Sequence, residues 1–230
     1  MTLRLTSEGI KGFTVARTRG SRNADYDAQR LALARKVRER VMAPEGLRAS
    51  LREFAEAAGT SVATLKHYFE DREGLLRAVL ESQHVDAAPY LAMASVPISG
   101  DVEASLTAYV TQLKGAWFEH GVGVIQATAL AGGLSTPTLG PVYVNHLLEP
   151  LLGTCETLLR RHVELGALGP LDARVAALQF LAPVVLALLH QDSLSGASCR
   201  PLDLDAFFRD HVAAFLRAWP PRTAQRRARA

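Results

Sequence analysis

Cysteine is scarce in this chain of 230 residues: Cys155 and Cys199 are the two present, separated by 43 residues, with no CxxC pair or ligand-like neighbours. That pattern does not fit the stapled frameworks of small secreted domains; it suits a reduced, cytoplasmic protein, which is the expected location. Aromatic residues are only 7% of the chain, yet 48% of it is hydrophobic, ample for a buried core at this length. Long apolar runs are lacking too. The most apolar stretch, residues 175–189, is shorter than the ~20 residues a bilayer span needs and contains Gln179 and Pro183, so it reads as a buried helix. The opening MTLRLTSEGIKGFTV has no apolar signal core, so neither secretion nor a membrane partner is expected.

Strand-like alternation of useful length, tandem repeats and a glycine-rich nucleotide signature are all missing. So are HExxH and the nucleophile elbow. Glu119-His120, Glu149 near His146, and His190 with Asp192 come nearest to a metal or acid–base cluster, and none has a matching second pair. No catalytic residue, no metal site and no cofactor is expected.

Charge of one sign is missing where it counts. The net charge is only +3, but residues 1–24 hold five bases against one acid and residues 220–230 hold four against none. Residues 25–85 balance at ten against ten, and residues 86–219 hold seven bases against twelve acids. Basic ends around an acidic middle point to termini that meet a polyanion, with Arg17, Arg19 and Arg22 placed to follow a phosphate backbone or enter a minor groove.

What is there is helical. From Asp25 to Ala43, Leu33, Val37 and Val41 recur four apart, making one apolar stripe. Ser50-Leu51-Arg52-Glu53 has the form of a capping box opening a helix that stops at Gly59, the residue best able to close it in a left-handed conformation. Ser61 caps a third helix over residues 62–68, and Asp71 caps a fourth expected to run to about His84. Longer helical segments follow at residues 101–120, 122–131, 139–165, 172–190 and 202–219. Pro150 makes the third of these either kinked or two helices.

Helix, tight turn, helix over residues 51–68 can set the second helix in a DNA major groove, with Val62, Ala63, Thr64, Lys66, His67 and Tyr68 turned outward to meet base edges, thymine methyls and phosphates. The same pattern also fits a plain helical hairpin with those residues solvated.

More than the pattern is present. Ser50 to Ser61 (SLREFAEAAGTS), Thr64-Leu65, Tyr68-Phe69, Arg72-Glu73 and Leu75-Leu76 together resemble the DNA-binding signature of TetR-family transcriptional regulators, specifically over residues 47–80. The rest of the chain is similar only in architecture, including the step Glu164-Leu165-Gly166-Ala167-Leu168. The resemblance implies an all-α homodimer with an N-terminal helix-turn-helix domain (25–85) and a larger helical domain for dimerisation and ligand binding (86–219), flanked by a basic arm (1–24) and tail (220–230). Its implied function is a repressor released from a palindromic operator by a small molecule; a regulator without a ligand, or an all-helical enzyme or carrier, are the alternatives.

Carried onto this sequence, the resemblance puts Ser50, Thr64 and Arg72 on phosphate, starts the reading helix at Ser61, and turns Val62, Ala63 and His67 toward bases. Lys66 departs from the aromatic residue common in the family. The last two long helices would meet the two-fold mate, with Val184, Leu188, Phe208 and Phe215 as anchors. Trp117, Phe118, His120, Gln126, Tyr143, His146 and His190 are the candidate effector contacts, and the acidic balance of residues 86–219 favours an apolar, neutral or cationic molecule.

Overall fold

The computed structural model describes residues 19–221 apart from Pro44 and Ser99, with side chains from Ala24 onward. The expectations for Arg17, for the Arg19 and Arg22 side chains and for the charged tail 222–230 lie outside the described residues.

Helices are the only extended regular elements among the described residues; the one β-bridge, Leu168 to Pro221, is isolated. The N-terminal part comprises α1 (Arg19–Met42), α2 (Leu51–Ala58), α3 (Val62–Phe69) and α4 (Arg72–Ala94). Each of the last three starts at a residue whose side chain accepts an otherwise unpaired amide: Ser50 from Glu53, Ser61 from Thr64, Asp71 from Gly74. Gly59 ends α2 at φ 63°, where its amide reaches the carbonyls of Ala55 and Glu56. A shared core of Val37, Val41, Phe54, Leu65, Phe69, Leu75 and Val79, all nearly inaccessible, locks the four helices together.

α4 does not stop near His84 as expected. It continues to Ala94 through Pro89, which stands exposed, so one rigid rod serves both halves of the molecule. Its start packs in the core shared by the first four helices; at its far end, the carbonyl of Ser95 accepts from Arg161 at 2.9 Å. Between them Leu80 joins Ile125, Ala129, Val142, Tyr143 and Leu147 in a small junction core.

The C-terminal part comprises α5 (Val102–Glu119), α6 (Val122–Ser135), α7 (Leu139–Tyr143), α8 (Glu149–Glu164), α9 (Ala173–Leu188), the single turn α10 (Gly196–Cys199) and α11 (Leu204–Ala218). A π turn, Val144–Leu148, joins α7 to α8 without a break. Kink or two helices was the question raised by Pro150; the answer is one helical path that widens just before the proline, where the missing amide would otherwise interrupt the ladder. A second π turn, Leu189–Ser193, extends α9. The resulting run Ala173–Ser193 has 21 residues, and its most apolar 18 have a mean hydropathy of 1.7, long and apolar enough to cross a membrane by length and composition. Residues 175–189 lie in the expected core helix, which the π turn lengthens. Its inner face, including Ala176, Phe180, Leu181, Val184 and Leu188, is buried in the main core with α5, α8 and α11.

Candidate nucleic-acid interface

Helix α3, the expected reading helix, is held from three sides. Leu65 and Phe69 anchor it in the core, and Val62 packs partly against the same cluster. Tyr26 on α1 lies over Tyr68, ring centroids 4.8 Å apart, and its hydroxyl donates to the His67 carbonyl at 3.3 Å. The Tyr68 hydroxyl in turn donates to Gln29. Arg72 reaches back from the start of α4, donating through Nε to the Ala49 carbonyl at 2.8 Å and through Nη2 to that of Leu47.

These contacts sort the expected DNA-facing residues. Ser50, Ser61, Ala63, Lys66 and His67 are exposed; Val62 and Thr64 are half-buried, with the Thr64 hydroxyl 2.9 Å from that of Ser61. Two expectations need revision. Tyr68 faces α1 rather than open solvent, and the Arg72 guanidinium ties the α1–α2 turn to α4. A phenol and a guanidinium both satisfy neighbouring polar groups when half-buried, and sequence spacing does not reveal that such partners lie nearby.

Capping is strongest at α2. The Glu53 carboxylate accepts from the Ser50 amide at 2.8 Å and from Arg40 at 2.7 Å. The Ser50 amide first, then Arg40 and the Ser50 hydroxyl, bring its pKa down to about 2.

Most of the domain's positive charge is already engaged. Arg30 meets Glu81 at 2.9 Å; Arg35 and Arg38 both hold Asp86, whose pKa is lowered chiefly by the hydrogen bond from Arg35. Arg40 holds Glu53, and Arg48 and Arg52 form exposed pairs with Glu45 and Glu56 on their own turns. Lys36, Lys66 and Arg77 are the bases of residues 25–85 without a hydrogen bond or ion pair among the described residues, and Lys66 is the one on α3. The balanced charge of this segment therefore conceals a cation on α3 that no described residue compensates.

The other two groups of expected contacts fare differently. Val184, Leu188, Phe208 and Phe215 are buried in the chain's own core, so they are corrected to monomer core residues. Exposed instead, on one stripe of α9, are Val175, Leu178, Ala182 and Leu186, with Leu186 64% accessible. Periodicity could not choose between the faces, because α9 is apolar all round.

The expected effector contacts have different surroundings. Trp117 is buried and donates its indole N–H to Asp192 at 2.9 Å, while Phe118 and His120 point outward. Gln126 and Tyr143 are buried, His146 belongs to the first π turn and His190 to the second, where its Nδ1 is 2.7 Å from Gln191. An open hollow of about 620 Å³ lies elsewhere, over Asp101, Ala104, Thr107, Ala108 and Thr111 on α5.

The architecture is a capped helix-turn-helix on a larger helical body. Within it, residues 39–79 match the bacterial regulatory proteins of the tetR family. Solved structures with the same fold include a protein assigned to the TetR-family transcriptional regulators from Mesorhizobium loti (18% identity, TM-score 0.67, 84% of this chain and 98% of that one). Salmonella enterica GusR is similar at 19% identity and TM-score 0.63 over 83% and 96% of the two chains. The fatty acid degradation regulator FadR from Bacillus halodurans follows at 21% identity and TM-score 0.57 over 84% and 94%. No curated protein sequence matches the chain.

Proposed function

We propose that this protein is a homodimeric, sequence-specific DNA-binding regulator, a repressor that leaves its operator when a small molecule binds. The observation that carries the DNA-binding part is the outward face of α3. Ala63, Lys66 and His67 stand exposed on a helix whose other contacts fix its position, and Lys66 has no hydrogen-bond or ion-pair partner among the described residues. Small, cationic and imidazole groups on a braced helix can read a major groove while Lys66 neutralises a phosphate. Two such helices related by a two-fold axis read a palindrome, and the apolar stripe on α9 is the surface that supports pairing.

The release step rests on α4. A ligand that favours a different tilt of this rod would change the spacing of the two reading helices, provided it binds that conformation more tightly than the operator-bound one. The acidic balance of residues 86–219 favours an apolar, neutral or cationic effector. The burial of Trp117, Gln126 and Tyr143 in the chain's own packing favours a second reading, a regulator controlled without a ligand. Thermal-shift screening combined with operator titration separates the two. A compound that raises Tm and weakens operator binding supports the first; a broad screen in which no stabilising compound affects the operator supports the second.

A further inference from the structure

The domain junction holds a pair of histidines on different elements. His84 lies on α4, and His146 lies in the π turn between α7 and α8. Their ring centroids are 5.9 Å apart, with the planes at 63°. The His84 Nδ1 is shielded from solvent and has no hydrogen-bond partner, and neither ring has a hydrogen bond or ion pair among the described residues. An unpaired imidazole nitrogen out of water is costly, so the shielded His84 Nδ1, lying beside a second imidazole, calls for a partner that the described residues do not provide.

We propose that His84 and His146 bind one divalent transition-metal ion of the imidazole-preferring kind, Ni²⁺, Cu²⁺ or Zn²⁺. Two imidazoles sharing an ion at metal–nitrogen distances of ~2.0–2.1 Å have ring centroids roughly 5–6 Å apart, and the observed separation is at the upper end of that range. The π turn is what brings the second imidazole to α4. No third His, Cys, Asp or Glu completes a cluster among the described residues, so the remaining coordination positions belong to water or to a ligand atom. Hard ions such as Mg²⁺, which demand oxygen, are excluded by the donor set.

The ion would fasten α4 to the body of the molecule at a point two turns beyond Leu76 and one beyond Leu80, residues of the reading-domain and junction cores. Operator affinity should therefore respond to it. This consequence rests on the DNA-binding reading above; ion binding does not.

The test uses the full chain without an affinity tag, equilibrated with Ni²⁺ and separately with Mg²⁺, followed by measurement of bound ion per chain. One Ni²⁺ per chain is expected, with Mg²⁺ not retained and Ni²⁺ lost in both His84→Ala and His146→Ala. Cobalt substitution of the unmodified protein gives an independent readout through visible absorption bands of nitrogen-ligated Co²⁺. Absence of retained Ni²⁺ and of those bands, or equal retention by both variants, overturns the site. Operator titrations with and without Ni²⁺ form the second arm. A several-fold change in the unmodified protein that disappears in His84→Ala is expected; an ion bound through both histidines with unchanged operator affinity overturns the regulatory half alone.

Discussion

The ring of Tyr26 stands edge-on to His67, with centroids 5.8 Å apart and planes at 84°, while its hydroxyl donates to the His67 carbonyl. A residue near the start of α1 thus orients the imidazole expected to face a base. Tyr26→Ala should weaken specific operator binding by about 1 kcal/mol, roughly fivefold, with non-specific DNA much less affected. Tyr26→Phe keeps the ring and should fall between. Anisotropy titrations with specific and non-specific duplexes check both.

The caps are separable from the reading face. Ser61→Ala removes the acceptor for the Thr64 amide and should cost about 1 kcal/mol of stability. Calorimetric melting without DNA gives the answer.

Acid should act through Glu53 with a definite sign. Its pKa is lowered from 4.5 to about 2 in the folded state, so its contribution is fully present above 4.5 and is lost as pH falls toward 2. Other paired carboxylates act in the same direction, so the informative quantity is a difference. Glu53→Gln should be less stable than the unmodified chain at neutral pH, and the gap should close between pH 4.5 and 2.

The dimer proposal turns on which apolar residues are free. Leu186→Glu places a charge on the exposed stripe of α9 and should give a folded monomer with weakened operator binding. Phe208→Glu places one in the chain's own core and should not fold, because the charge would be buried unpaired. Sedimentation and melting of the two variants distinguish these outcomes; a stable dimer of Leu186→Glu would place the interface elsewhere.

Gly123 is packed against the Trp117–Asp192 hydrogen bond. A Cβ there would lie 2.4 Å from the indole nitrogen and 2.7 Å from the carboxylate. Gly123→Ala should destabilise the C-terminal part by about 1–3 kcal/mol and alter Trp117 fluorescence.

Local chemistry made much of this fold legible. Ser50, Ser61 and Asp71 all cap helices as expected, because a short polar side chain before an apolar-periodic run has one favourable use. The exposed cationic and imidazole groups of α3 were legible for the same reason: Leu65 fixes the inner face, and the outer face follows from helical geometry. Long-range choices were not. The length of α4 depends on packing beyond His84, and the inner face of α9 depends on which helices cover it. Tyr68 and Arg72 are directed by Gln29 and by two backbone carbonyls on other elements. The His84–His146 pair joins residues 62 positions apart that no local pattern connects.

The most direct measurement of the central claim is selection of duplexes from a random-sequence pool by the full chain, repeated with Lys66→Ala and His67→Ala. The unmodified protein should enrich a palindrome whose half-sites lie about one helical turn, ~34 Å, apart. Lys66→Ala should keep that sequence while binding all DNA more weakly with a flatter salt dependence, and His67→Ala should change the preferred bases. Enrichment of no sequence by the unmodified protein, or a change of base preference in Lys66→Ala with its salt dependence intact, would contradict the account.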